Sequence, residues 1–317
     1  MATPTQTTNA DVIYINALKE VLEKGEITDT RNSRTTRYFG IRMEFDVSTY
    51  FPLLTTKKMY WKGIAQELLW FIRGSTNSKE LEKVGVSIWK GNSSRAFLDA
   101  RGLTYEEGEC GPIYGFQWRH WGGAYKKRNR KLIVGGDEED GEGDNGENNA
   151  GGGAGTIGGI DQLAEIIHLI KTDPFSRRIF MSAWAPHDMD KMCLPPCHIS
   201  YQFFVDNEGG LSCQMYQRSG DMFLGIPFNI ASGSLLLYMI AHITGLRPKR
   251  FLLCVGDAHI YENHIEQVRE QIQRPVIHTL PTINIARTIT SIDDFVYEDI
   301  ELVNYTSYGK LDAKMVA

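Results

Sequence analysis

The sequence predicts a single α+β (mixed α/β) domain built on a substantial sheet. Three observations point there. Strand-like apolar runs and helical periodicities are mixed irregularly along the chain. A length of 317 residues with 42% hydrophobic content can bury a large core. No internal repeat and no linker between two complete halves appears, so 1–317 reads as one unit.

The elements follow in order. Val12, Ile15, Leu18, Val21 and Leu22 recur at helical spacing, and Gly25 supplies a stop. A strand is expected over 38–45. Residues 62–73 are apolar nearly all round, the pattern of a buried helix. A further helix over 160–171 carries apolar residues at 160, 163, 166, 167 and 170 and ends near Asp173-Pro174. Strands are expected over 178–184, 198–205 and 211–216. A second buried helix over 234–244 precedes a strand at 251–255. An amphipathic helix over 260–273 ends before Pro275, and a last strand covers 282–287.

One stretch departs from this pattern. Residues 134–159 hold 11 of the 31 glycines and seven acids, with no base. Such a segment cannot bury enough apolar surface to offset its ordering entropy, so it reads as a flexible acidic, Gly-rich insert. The chain carries 34 bases and 39 acids, net −5; without the insert the balance is +2. Lys126, Lys127, Arg128, Arg130 and Lys131 precede it. A solvated loop is the plainer reading of that run, and a nucleic-acid patch the lesser one.

Several classes are excluded. The apolar content rules out global disorder. No apolar run reaches the roughly 18 residues of a membrane span, so no membrane partner is expected. Residues 1–9 are polar and lack the core of a signal peptide. Five cysteines are few and odd in number, which fits a reducing, cytoplasmic setting.

Four groups could carry chemistry. Glu67 lies inside the helix expected to be buried, where a carboxyl rises in pKa and suits acid–base work; facing solvent or a structural arginine is the equal alternative. Cys197 follows Pro195-Pro196 and precedes a strand; it becomes a nucleophile only in a cationic setting, and a structural cysteine is otherwise favoured. Cys193 and Cys197, spaced C-x3-C beside His198, lack a clear second pair for zinc, and no metal is expected. Arg177-Arg178 and Gln217-Arg218-Ser219-Gly220-Asp221 offer guanidinium forks suited to a small anion. Asp257-Ala258-His259-Ile260-Tyr261-Glu262-Asn263-His264 is not H-E-x-x-H. On a helix His259 and His264 would differ by about 140° and share no face. Polar contacts to a ligand fit better; the alternative is a helix cap by Asp257 with a partly buried histidine.

Longer blocks join these groups. Phe51-Pro52-Leu53-Leu54-Thr55-Thr56-Lys57-Lys58, Glu67-Leu68-Leu69-Trp70-Phe71, Gly111-Pro112-Ile113-Tyr114-Gly115-Phe116-Gln117-Trp118-Arg119 and Ser176-Arg177-Arg178 come first. Leu194-Pro195-Pro196-Cys197-His198, the run from Tyr216 to Ser232 and Gly256-Asp257-Ala258-His259-Ile260-Tyr261 follow. Together, and in this order, they resemble the thymidylate synthase family from about residue 12 to the C-terminus.

The resemblance implies a large twisted sheet covered by helices, with the sheet forming a homodimer interface. It implies reductive methylation of dUMP by 5,10-methylenetetrahydrofolate, a cosubstrate, giving dTMP and dihydrofolate. Cys197 would add to C6 of the uracil, with Arg218 favouring its thiolate. Glu67 would move protons, and Tyr114 and His198 would support the reacting base. The nucleotide would be held by Arg218, Ser219, Gly220, Asp221, His259 and Tyr261, with Asn229 reading the uracil edge. Arg177 and Arg178 would reach its phosphate across the subunit interface. The reduced folate would contact Tyr60, Trp89, Asp221, Gly225 and Val316.

The chain also departs from the family's pattern. Its phosphate loop normally reads D-R-T-G-T-G-T; here Asp29-Thr30-Arg31-Asn32-Ser33-Arg34-Thr35 stands instead. Arg31 is the better loop ligand and Arg34 the alternative. Tyr60 stands where many members have histidine, Asn92 where a second tryptophan is common, and Gly233 where tyrosine is usual. Asn304-Tyr305-Thr306-Ser307 replaces a His-Pro, and the tail ends Met315-Val316-Ala317. Most of these concern folate, which keeps a deoxyuridylate hydroxymethylase as the close alternative. Trp89, which would shield the intermediate from water, favours the synthase. Additional RNA binding, seen in the family, would be a secondary role.

Overall fold

The computed structural model describes residues 9–30, 33–125 and 158–316. Arg31, the basic run at 126–131 and all but Gly158 and Gly159 of the insert lie outside the described residues.

Helix α1 (Ala10–Lys24) starts at Asn9, whose side-chain oxygen accepts the Asp11 N–H at 2.7 Å. It stops at Gly25, and it buries Tyr14, Leu18 and Val21. Strands β1 (Glu26–Asp29) and β2 (Arg34–Asp46) follow as an antiparallel pair. The buried Asp11 carboxylate accepts from the backbone N–H and hydroxyl of both Thr55 and Thr56. That places Lys57 at the entrance to α2 (Trp61–Ile72). Short helices α3 (Lys79–Lys83), α4 (Arg95–Ala100) and α5 (Tyr114–Arg119) lead to α6 (Gln162–Thr172). Strands β3 (Phe180–Ser182), β4 (His198–Val205) and β5 (Gly210–Asp221) come next. Helix α7 (Gly225–Thr244) crosses to β6 (Arg247–Tyr261), and α8 (Ile265–Gln273) follows. A separate antiparallel pair, β7 (Thr282–Ile285) and β8 (Ile300–Val303), completes the order.

The main sheet has the order β1-β2-β6-β5-β4-β3. Only β5 and β6 run parallel, and α7 is their crossover, packed on both. The architecture is therefore the mixed α+β domain expected. Alternation along the strands shows why one face is covered. Ile41, Met43 and Phe45 of β2, Phe251, Leu253 and Val255 of β6 and Met215 of β5 are buried under α1 and α7, and Tyr201 and Phe203 of β4 are buried on the same face, Tyr201 against Trp118 of α5. The opposite face carries Arg42, Glu44, Arg250, Gln214, Tyr216, Gln202, Phe204 and Phe180, and among the described residues no helix covers it.

Two expected boundaries are corrected. Helix α7 begins at Gly225, nine residues before the expected start. Gly225 and Pro227 read locally as breakers, yet proline is tolerated in a first turn, whose N–H groups have no helical partner anyway. The helix is also long and apolar enough by composition to cross a membrane, but it is mostly buried inside the protein. The other correction concerns 257–264. Asp257, Ala258, His259, Ile260 and Tyr261 belong to β6, not to a helix, so Asp257 caps nothing. Pairing on both sides decides this: Thr36 lies opposite Ile260, and His259 lies opposite both Arg37 and Asp221. The helical periodicity belongs to 265–273 alone.

Candidate active site

The β4–β5 ladder builds the centre of the site. Cys197 immediately precedes β4, and its carbonyl accepts the Arg218 N–H at 2.8 Å. The Arg218 side chain folds back over the two prolines, with Nε donating to the Pro196 carbonyl at 2.8 Å and Nη2 to that of Pro195 at 3.1 Å. This holds Nη2 4.0 Å from the Cys197 sulfur. The Tyr114 hydroxyl accepts the Cys197 N–H at 2.7 Å. Burial pushes the thiol up from its ordinary value, against the pull of the Arg218 charge and the Tyr114 hydroxyl. Burial has the larger effect, while Arg218, as expected of it, draws the thiol back towards the thiolate.

Beside the cysteine, His198 is buried, stacked on the Tyr114 ring at 4.3 Å, with Nδ1 2.9 Å from the Tyr201 hydroxyl. Burial pushes its pKa down to about 3, so it is a neutral imidazole at working pH. Glu67 lies in α2 among Trp70, Phe71 and Leu68. Burial raises its carboxyl to about 7, and a hydrogen bond from Trp89 Nε1 at 2.7 Å draws it back. Trp89 packs on Trp70, Phe71 and Tyr114. Glu67 is half-buried with its carboxyl held by Trp89, and among the described residues no arginine pairs with it.

The parallel ends of β5 and β6 supply the second cluster. Ser219, Gly220 and Asp221 lie opposite Asp257, Ala258 and His259. His259 Nδ1 is 3.2 Å from an Asp257 carboxylate oxygen, and its ring meets Tyr261 edge-on at 5.0 Å. The chain turns at once into α7, with Asp221 Oδ1 accepting the N–H groups of Phe223 and Leu224 at 2.9 and 3.2 Å. Asn229 follows one turn into α7. Buried Gln217 donates to its Oδ1 at 3.1 Å, which fixes the direction of the Asn229 amide. The ends of β5 and β6, the start of α7 and the Arg218 guanidinium thus lie together, an arrangement suited to an anionic ligand.

A sequence model described as thymidylate synthase matches residues 12–317. The chain is 46% identical to a thymidylate synthase of Homo sapiens over 97% of its own length and 91% of that protein's. It is 45% identical to one of Human herpesvirus 8 type P (isolate GK18), over 99% and 86%. The chain belongs to the thymidylate synthase family. It is also 46% identical to a bifunctional dihydrofolate reductase-thymidylate synthase 2 of Arabidopsis thaliana, covering 96% of its own length but spanning only about half (50%) of that protein.

Membership in this methyltransferase family frames the remaining residues. Tyr60 sits at the exposed rim just before α2, its hydroxyl donating to the Gly85 carbonyl at 3.0 Å. Gly225 opens α7, and Val316 lies half-buried near the end of a C-terminal strap. Gly233 is packed by the Phe251 ring; even a Cβ there would collide with it. Arg34 opens β2 and lies 3.6 Å from Asp29. Arg177 and Arg178 do not join the Cys197 cluster. They are exposed ahead of β3, and Arg177 rims a groove on the uncovered sheet face with Phe204 and Arg250. Cys193 is buried, its N–H donating to the Cys110 carbonyl at 2.9 Å. No group of three potential metal-ligating side chains stands among the described residues.

Two side chains were given no role from sequence. Gln217 carried the signal of an amide beside a recognised arginine. Lys57 is buried, donates to the Phe223 carbonyl and lies over the Phe223 ring, and burial pushes its ammonium down to about 7. A lysine within an otherwise buried run was its only mark. His264 was placed in a helical stretch, and it lies in the short helical turn that runs into α8.

Proposed function

We propose that this chain transfers a one-carbon unit from 5,10-methylenetetrahydrofolate to dUMP and reduces it in place, yielding dTMP and dihydrofolate. The observation that carries the proposal is the Cys197 thiol held beside the Arg218 guanidinium at the head of β4. C5 of uracil is a poor nucleophile. Addition of Cys197 Sγ to C6 moves the ring's electron pair onto an enolate, and C5 can then attack carbon. The folate supplies the methylene; loss of the C5 proton and release of the folate nitrogen leave an exocyclic methylene, and hydride from the folate saturates it as the Cys197 sulfur leaves C6. The chain's residues do the rest. Arg218 and Ser219 would grip the phosphate, and His259 and Tyr261 the ribose hydroxyl. Asn229, oriented by Gln217, would offer one donor and one acceptor to O4 and N3–H. Glu67, with a pKa near 7, can both give and take a proton at neutral pH. Trp89, fastened by Glu67, would keep water from the exocyclic methylene. Tyr60, Asp221, Gly225 and Val316 would face the folate.

A homodimer belongs to the same proposal. The uncovered sheet face bears Phe204, 61% exposed, and Phe180, 48% exposed, among polar groups. Arg177 rims a groove on that face and Arg178 is exposed next to it in the chain, which suits the pair to serve the site of a second copy. The five free thiols support the reducing, cytoplasmic setting proposed with it.

The test is direct. Protein, dUMP and methylenetetrahydrofolate should generate dihydrofolate absorbance in step with dTMP. A hydroxymethyl nucleotide without dihydrofolate would establish the hydroxymethylase instead. In the same assay, Arg178→Glu and Cys197→Ala should each be inactive alone. Their heterodimer keeps one intact site, so roughly half the wild-type rate per dimer should return. Purified heterodimers with no recovered activity would show that the arginines do not act across subunits.

A further inference from the structure

His264 touches two parts of the site at once. It closes a short turn after β6 (Glu262–His264) and is fully buried. Its Nε2 lies 2.9 Å from the Lys314 carbonyl, and its Nδ1, which has no hydrogen-bond partner, lies 3.7 Å from Asp221 Oδ1. The rings of Phe223 and Tyr261, with centroids at 5.4 and 5.6 Å, fix the imidazole between them.

Lys314 belongs to the C-terminal strap. The Tyr308 N–H donates to the Thr55 carbonyl at 2.9 Å, and Arg274 reaches the Gly309 carbonyl at 2.9 Å. Gln267 donates to the Asp312 carbonyl and Asn263 to that of Lys314, both at 3.3 Å. Among the described residues the last side-chain ties to the strap thus fall at Lys314; the next residue, Met315, is exposed.

The hydrogen-bond arithmetic at the ring is restrictive. A carbonyl oxygen only accepts, so Nε2 must carry a hydrogen. In the neutral imidazole Nδ1 is then a lone pair facing a carboxylate. In the imidazolium both nitrogens donate, one to the strap and one towards Asp221.

We propose that His264 is a positioning residue for the folate site, tying the C-terminal strap to Asp221 so that the two are held in place together. The proposal rests on reading Asp221 and Val316 as folate-facing. The groups around the ring are Asp221 from the end of β5, Tyr261 from β6, the Lys314 carbonyl from the strap and Lys57 from the segment before α2. Burial opposes the charged imidazole and so does Lys57, but Asp221 and the Lys314 carbonyl outweigh them and raise its pKa. The sign follows: His264 is protonated at low pH, and the tie weakens as pH rises through that raised value.

Two variants separate the ends of the ring. His264→Gln keeps a donor for Lys314 and loses the charge facing Asp221; His264→Asn keeps a short donor towards Asp221 and loses reach to Lys314. In His264→Gln the KM for methylenetetrahydrofolate should rise roughly tenfold, as for loss of one charge-assisted contact, with dUMP affinity unchanged. Its rise in folate KM between pH 6 and 8.5 should disappear. In His264→Asn, amide exchange at 310–316 should speed up even without substrates. A wild type that makes no dihydrofolate would defeat the proposed function. Normal turnover with both variants folded, unchanged in folate KM and in tail exchange, would overturn the His264 assignment alone. Should the variants not fold, the wild type still tests it: tail protection factors, corrected for the intrinsic pH dependence of exchange, that stay constant over that range overturn the tie.

Discussion

Cys197→Ala is expected to reduce turnover by roughly 10⁴-fold or more, the scale seen when a covalent nucleophile is removed. That is about 5.5 kcal/mol of transition-state stabilisation. No other thiol can substitute. Cys110, Cys193 and Cys213 are buried in the core, and Cys254 lies mid-strand on the opposite face of the sheet. Nucleotide binding should survive, because Arg218, Ser219, Asn229, His259 and Tyr261 keep their backbone positions in β5, α7 and β6. Equilibrium dialysis with dUMP and a steady-state assay check the two halves. Turnover above about 1% of wild type in a folded variant lies far outside that scale and would refute the nucleophile. The raised thiol adds a pH signature. Alkylation of the free enzyme by iodoacetamide should speed up as pH increases, with its midpoint above that of an ordinary thiol.

Glu67→Gln should cost roughly 10²–10⁴-fold in kcat, the usual contribution of a positioned acid–base group. Glutamine keeps the acceptor for Trp89 Nε1 but cannot exchange a proton. The wild-type rate should therefore show a titration near pH 7 that the variant lacks. Stability supplies an independent check. The folded carboxyl holds its proton up to about pH 7, while an exposed glutamate loses it near its ordinary value. The native state binds more protons between those values, so its stability falls as pH rises through that window. Glutamine has no such dependence. Glu67→Gln should thus gain in Tm relative to wild type between pH 5 and 8. A constant difference across that range would show that Glu67 ionises normally and would remove its acid–base role.

Much of this site was legible along the chain because the chemistry is carried by contiguous runs. Leu194-Pro195-Pro196-Cys197-His198 and Gln217-Arg218-Ser219-Gly220-Asp221 each lie on one strand end, so their residue types survive as local pattern. Strand β4 was read at its observed bounds because His198–Val205 alternates buried and exposed side chains at the strand period. The start of α7 was not legible, since glycine and proline mean a break locally and a first turn only in context. Nor was the strand at Asp257-Ala258-His259-Ile260-Tyr261, whose partners in β2 and β5 are distant in sequence.

By itself the sequence determined the class of fold and the family, and it singled out the proposed nucleophile and the arginine that flanks it. These depend on residue identity and short-range spacing. Only the tertiary structure decided ionisation and direction. Glu67 sits near neutrality because packing removes water from it, and the Cys197 thiol is pushed up because burial outweighs Arg218. Gln217 orients Asn229, and His264 meets both Asp221 and Lys314, because β5, β6, α7 and the C-terminal strap converge. Desolvation and through-space contact belong to the packed molecule, and no pattern along the chain encodes their balance.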